Sequence, residues 1–223
     1  MTKIWSRELA LRLMVAGIGV PIIVWGLLTL SWFPLFFILL VGSGVILEWS
    51  LLFWQNKNNL SWRSRTNYLF FTSILLYIIL SFVPLAFLLP ATAGQVLLMC
   101  LITVWLTDTG GYICGKLLGG PKLAPQISPN KTWSGAVGGV AFVFLAIPLI
   151  QKLCPILESK NLVLCLGFLS AMGQIGDLVE SWAKRRLNVK QSGALLPGHG
   201  GIFDRFDSLI GALYGYFLWT LFS

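Results

Sequence analysis

The sequence predicts an all-α integral membrane protein, a polytopic bundle with its N-terminus on the cytoplasmic side. Three observations carry this reading. Hydrophobic residues fill 57% of the 223 positions and charged residues only 11%, an imbalance that a soluble fold of this size could not cover. Long stretches carry no charge at all, as bilayer-crossing segments require. The 16 basic residues fall preferentially on one side of those stretches, the asymmetry expected of cytoplasmic loops.

The elements follow in order. MTKIWSRELALR leads into an apolar run with no small-x-small cleavage site, so an uncleaved first helix is expected. Residues 13–47 are free of charge and long enough for two helices of about 20 residues each, with the turn at Ser31–Pro34. Residues 66–107 fit two more, with a break near Pro90. Residues 132–151 fit one, and residues 161–176 and 208–223 one each with help from their flanks. The expectation is about seven transmembrane helices, within a range of seven to nine.

With the N-terminus inside, all basic residues except Lys152 and Lys160 lie on the cytoplasmic side. The net charge of +8 is then explained by topology and by attraction to anionic headgroups. Its spread over four membrane-flanking segments argues against nucleic acid as a partner. Cys100, Cys114, Cys154 and Cys165 show no CxxC or zinc spacing and read as apolar fillers. The chain is read as a single transmembrane domain, 1–223, with N-terminal helices over 1–100 and the polar-rich part over 101–223.

Two cytoplasmic segments are richer than topology requires, Thr107–Gly135 and Gly176–Ser208. They hold Asp108, Asp177, Glu180, Asp204 and Asp207, five of the eight acidic residues. A carboxylate at a membrane boundary is costly unless paired or metal-bound, and so is a functional candidate. The helix over 161–176 should continue past the bilayer, placing Asp177, Ser181 and Lys184 on one face at i, i+4 and i+7. Gly193, Pro197, Gly198, Gly200 and Gly201 suit a backbone-exposing loop able to approach phosphate oxygens. Asp204 and Asp207 follow where the last helix begins, a position that also suits the helix dipole. With Asp177 they make three hard carboxylates that would repel without a cation, and Mg²⁺ is the expected ion.

In the first segment Asp108 is expected to end helix four, and Gly110, Gly111, Gly115, Gly119 and Gly120 to keep the following chain open. Lys116, Lys122 and Lys131 add positive charge, and SPNKTW sets Ser128, Asn130, Lys131 and Thr132 before the positive end of helix five. The segment lacks a GxxxxGK[ST] motif, and a basic membrane-surface loop is the alternative reading. Gly135/Gly139 and Gly211/Gly215 read as close-packing GxxxG spacings. Trp5, Trp25, Trp32, Trp49, Trp54 and Trp62 read as an aromatic belt. Glu48, at the inner end of helix two, is ambiguous, and pairing with a nearby basic residue is one reading of it.

The run Ser181–Asp207 resembles the signature of bacterial phosphatidate cytidylyltransferases (CDP-diacylglycerol synthases). Ser181, Lys184 and Arg185 open the pattern. Lys190, Gly193, Leu196, Pro197, His199, Gly200 and Gly201 continue it, and Asp204, Arg205, Phe206 and Asp207 close it. Gln191 departs from it, standing where the family usually has aspartate. DTGGYICGKLLGGPKLAPQISPNKTWSG resembles the family's cytidine-nucleotide region, so the similarity covers about residues 105–215. The chain is short for that family, and a peripheral helix or two on the N-terminal side is expected to be missing.

The resemblance implies a multi-pass protein of the cytoplasmic (inner) membrane with its catalytic region over 101–223 and its site facing the cytoplasm. It implies CTP and phosphatidate as substrates, CDP-diacylglycerol and pyrophosphate as products, membrane lipids as neighbours, and a homodimer. On that basis Asp177, Asp204 and Asp207 are candidate Mg²⁺ ligands. Ser181, Lys184 and Arg185 are candidate phosphate holders, and His199 is expected to bond a phosphate or order the glycine stretch. Asp108, Lys116, Ser128, Asn130, Lys131 and Thr132 are assigned to the CTP side. Two rivals remain at this stage, a CTP-dependent kinase of a polyprenol or phytol and an ion-coupled transporter.

Overall fold

The computed structural model describes residues 17–56, 65–88, 90–155, 159–193 and 200–222. Expectations resting on His199, Pro197, Trp5 or Trp62 lie outside the described residues. The helices are α1 Gly17–Thr29, α2 Phe33–Asn56, α3 Arg65–Phe87, α4 Pro90–Leu118, α5 Trp133–Leu145, α6 Ile147–Leu153, α7 Ser159–Arg186 and α8 Phe203–Phe222. Between α4 and α5 lies an antiparallel hairpin of β1 Lys122–Ala124 and β2 Ser128–Thr132.

Helical segments stand at all seven expected places. By length and composition α2, α3, α4 and α7 qualify as membrane spans, and the bent pair α5–α6 makes a fifth. α1 is shorter, and α8 carries Asp204, Arg205 and Asp207 in its first turns. The breaks follow backbone chemistry. The turn after α1 falls at Ser31–Trp32, with Pro34 in the first turn of α2, and α4 opens on Pro90; proline needs no helical N–H there. In lipid every backbone polar group must be satisfied within the chain, and helices do this. Leu39 (62% exposed) and Leu69 (59%) show the outward apolar faces that a bilayer would cover.

Three expectations need correction. The stretch 132–151 is not one straight helix: α5 and α6 meet at Ala146 with a bend of 53°. Pro148 has no N–H to give and its ring would strike the carbonyl one turn earlier. Asp108 does not end α4, which runs ten residues further to Leu118. Gly110, Gly111 and Gly115 stay helical because α5 packs directly on them. A Cβ on Gly135 would sit 2.7 Å from the Gly111 carbonyl oxygen, and one on Gly139 at 2.7 Å from that of Thr107. Only Gly119 and Gly120, at φ 63° and 104°, leave the helix and turn the chain into the hairpin. Finally, Trp49 is not in the belt. It is buried, donates from Nε1 to the Phe71 carbonyl at 3.1 Å, and stacks on the Phe71 ring.

The pairs α4–α5 and α7–α8 pack most closely. In the second pair a Cβ on Gly176 would lie 2.7 Å from the Cα of Gly211, so both backbones touch. Van der Waals packing of this kind holds helices together where lipid removes the hydrophobic drive. The cysteines are free: Cys100, Cys154 and Cys165 are buried fillers, and Cys114 is half-buried.

Candidate active site

Helix α7 runs through to Arg186 as expected, but its polar face divides between two partners. Asp177 Oδ2 pairs with Lys131 Nζ at 2.6 Å, and its Oδ1 accepts a long hydrogen bond, 3.4 Å, from Ser181 Oγ. One turn on, Lys184 Nζ lies 2.7 Å from Glu180 Oε1 and 2.9 Å from Asp204 Oδ1. Lys131 stands at the end of β2, so the ion pair with Asp177 joins the two polar-rich segments. Glu180, fully buried, had no assigned role in the sequence; its i, i+4 spacing to Lys184 was the available signal.

Asp204 sits in the first turn of α8 and is engaged throughout. Besides Lys184, its oxygens accept the amides of Ser192 (3.0 and 3.1 Å) and Gly201 (3.0 Å). Burial works against its charge, but hydrogen bonding with Glu180 and Lys184 and with the Gly201 and Ser192 amides outweighs it. The carboxyl is lowered to about 2. Gly200, at φ 81°, supplies the left-handed turn that aims Gly201 N at this carboxylate. Gln191 is exposed beside the same turn, its Nε2 3.6 Å from where a Gly200 Cβ would be.

A buried carboxylate from far outside the signature completes the arrangement. Glu48 on α2 accepts Ser192 Oγ (3.0 Å), Ile202 N (2.9 Å) and Phe203 N (2.9 Å). Among the described residues a hydroxyl and two amides, not a basic side chain, thus hold it.

Asp108, Asn130, Lys131 and Thr132 line one pocket of about 220 Å³ together with Gln174. Thr132 caps α5, its Oγ1 accepting Gly135 N at 3.2 Å. Two other residues assigned to this side do not line it. Ser128 is in the strand pairing opposite Ala124, and Lys116 lies over the Tyr112 ring, 5.6 Å from its centre. Arg185 is exposed.

A second cavity, about 540 Å³, has mostly apolar walls, including Ile23, Phe37 and Trp105, with Arg205 and Asp207 in its lining. Asp108 belongs to the walls of both cavities. Asp108, Asp177 and Asp207 lie within electrostatic reach of one another. Their oxygens are hard donors suited to Mg²⁺, although among the described residues no three acidic, His or Cys side chains converge to enclose one ion. That still fits Mg²⁺, which usually takes one or two carboxylates and completes its shell with water and substrate phosphates.

Fold and site together define a polytopic membrane protein with a mixed-charge centre where α4, α7, α8 and the hairpin meet, between a polar pocket and an apolar one. The chain belongs to the Cytidylyltransferase family, whose sequence profile matches residues 9–222. It is similar to proteins named phosphatidate cytidylyltransferase. The one from Brucella suis biovar 1 (strain 1330) is 50% identical over 109 residues, 49% of this chain and 40% of the relative. The Bacillus subtilis (strain 168) protein is 48% identical over 124 residues, 55% and 46%. That of Staphylococcus aureus (strain COL) is 51% identical over 120 residues, 52% and 45%. The chain thus spans less than half the length of these curated relatives.

Proposed function

We propose that the protein transfers a cytidylyl group from CTP to phosphatidate, in the cytoplasmic membrane and with its site facing the cytoplasm. A lipid phosphate oxygen attacks the α-phosphorus of CTP. The bond from that phosphorus to the oxygen bridging to the β-phosphate breaks, and pyrophosphate leaves. The observation that carries this reading is the Lys131–Asp177 ion pair, which joins the two polar-rich segments beside adjoining polar and apolar cavities.

Both reactants are anionic, so the first task is to offset their repulsion. Lys131 and the capped start of α5 are assigned to the triphosphate in the polar pocket. Lys184 and Ser181 are assigned to phosphate oxygens, and Arg205 to the lipid phosphate from the lining of the apolar cavity, whose remaining walls suit acyl chains. Phosphate monoesters are already ionised near neutral pH, so positioning and electrostatics replace a strong general base. Asp177 and Asp207, with Asp108 beside them, are the candidate Mg²⁺ ligands; the ion would neutralise triphosphate charge. Asp204, whose oxygens already hold Lys184 and two amides, is assigned a positioning role.

The test is to incubate purified protein with labelled CTP, phosphatidate and Mg²⁺. A cytidine-containing lipid and pyrophosphate in equal amounts are expected. In a parallel reaction given a polyprenol in place of phosphatidate, release of CDP with a phosphorylated alcohol would point instead to lipid kinase chemistry, and absence of labelled lipid from the phosphatidate reaction would refute the proposal.

A further inference from the structure

We propose that Glu48 is a positioning residue for this site, holding both ends of the glycine-rich stretch from Ser192 to Phe203; the inference rests on the cytidylyl-transfer reading. Glu48 is fully buried in the middle of α2, more than 140 positions from its partners in the chain. A buried carboxylate without compensation is strongly unfavourable. Here Oε1 accepts Ile202 N, and Oε2 accepts both Phe203 N and Ser192 Oγ. Ile202 and Phe203 adjoin the start of α8, where amides point outward without intrahelical acceptors and attract negative charge. Glu48 thus supplies from α2 what a side chain within the helix's own first turn usually supplies.

Two signature glycines give independent support. A Cβ on Gly193 would lie 2.7 Å from Glu48 Oε1, and one on Gly201 would lie 2.5 Å from Oε2. Both positions therefore admit the carboxylate, a more specific role than general loop freedom. Glu48 and Asp204 share Ser192, the first through its hydroxyl and the second through its amide. Asp204 in turn holds Lys184. A shift at Glu48 is thereby passed to Lys184 and to the start of α8, which carries Asp207. Lys131 and the polar pocket are reached by none of these bonds.

The test variant is Glu48→Gln, which keeps the shape. Whichever way its amide turns, an N–H group faces a backbone N–H. In full-length protein in detergent, amide exchange at Ile202 and Phe203 is expected to speed up at least ~10-fold. Turnover per folded molecule should fall about 100-fold. KM for phosphatidate should rise, and Glu48→Asp, which keeps the carboxylate, should recover part of the turnover. Unchanged exchange, wild-type turnover despite faster exchange, or activity lost only in step with folded protein would each overturn the proposal. If Glu48→Gln does not fold, Ser192→Ala removes one of the three bonds and is held to the same exchange and KM criteria. If wild-type protein makes no cytidine lipid, the functional reading has failed, and the exchange measurement alone decides whether Glu48 holds these amides.

Discussion

Replacing Lys131 by methionine separates what its ion pair does for the fold from what its charge does for the reaction. The Lys131 and Asp177 side chains are each about a quarter exposed (27% and 26%) at a separation of 2.6 Å. Solvent screens such a pair, so its loss should cost about 1 kcal/mol of stability. For a chain of this size that lowers the unfolding midpoint by about 2–4 °C. The positive charge that we assign to the triphosphate acts on a different scale. Removing one preorganised group that meets charge in the transition state costs about 10²–10³ in turnover. Initial rates of cytidine-lipid formation, taken alongside thermal unfolding in the same detergent, test the contrast. The swapped pair Lys131→Asp with Asp177→Lys should regain the lost stability but not the turnover, since the cation then sits on α7 and the candidate Mg²⁺ ligand at 177 is gone. Turnover of Lys131→Met close to wild type, or a swapped pair with restored activity, would refute the placement of the triphosphate beside β2.

Other outcomes follow from neighbouring features. Gly176→Ala introduces a Cβ 2.7 Å from the Gly211 Cα and should destabilise by about 1–3 kcal/mol, read as a lowered unfolding midpoint. Asp204 gives a pH dependence of definite sign. Its carboxyl is lowered to about 2 in the folded protein, against about 3.9 when unfolded. It therefore contributes about 2 kcal/mol that is fully present above the unfolded value and lost as pH falls toward 2. Unfolding midpoints between pH 6 and pH 2.5 should show that slope in wild type and a flatter one in Asp204→Asn. Chelation of divalent cations should abolish cytidine-lipid formation and added Mg²⁺ should restore it; activity that persists in excess EDTA would contradict the assignment to Asp177 and Asp207.

The parts of this arrangement that could be read in the sequence are those set by local composition. Absence of charge over 13–47 and 66–107 located four helices, and Ser31–Pro34 and Pro90 located their breaks. The i, i+4 relation placed Ser181 against Asp177, and the SPNKTW run placed Thr132 at a helix start. What escaped depends on tertiary packing. Gly110, Gly111 and Gly115 look like helix breakers until α5 lies against them. Lys184 shares a face of α7 with Asp177 as expected, but its ion pairs are with Glu180 on the helix and Asp204 across the turn, which the spacing alone did not name. Glu48 was the hardest, because a lone carboxylate in an apolar run announces a partner without naming it, and two of its three partners are backbone amides that any residue type would present.

The Glu48 contacts also bear on how such an enzyme can be taken apart or assembled. Residues 101–223 hold nearly all the polar chemistry, and the temptation is to treat them as a portable module. Yet a fragment starting at α4 would leave Ser192 Oγ and the amides of Ile202 and Phe203 facing the space that Glu48 fills in the intact chain, three donors that have lost their acceptor. Chimeras that exchange the first hundred residues should therefore succeed only when the donor helix brings a carboxylate at the same depth, so that the apolar half and the chemical half are inherited as one unit.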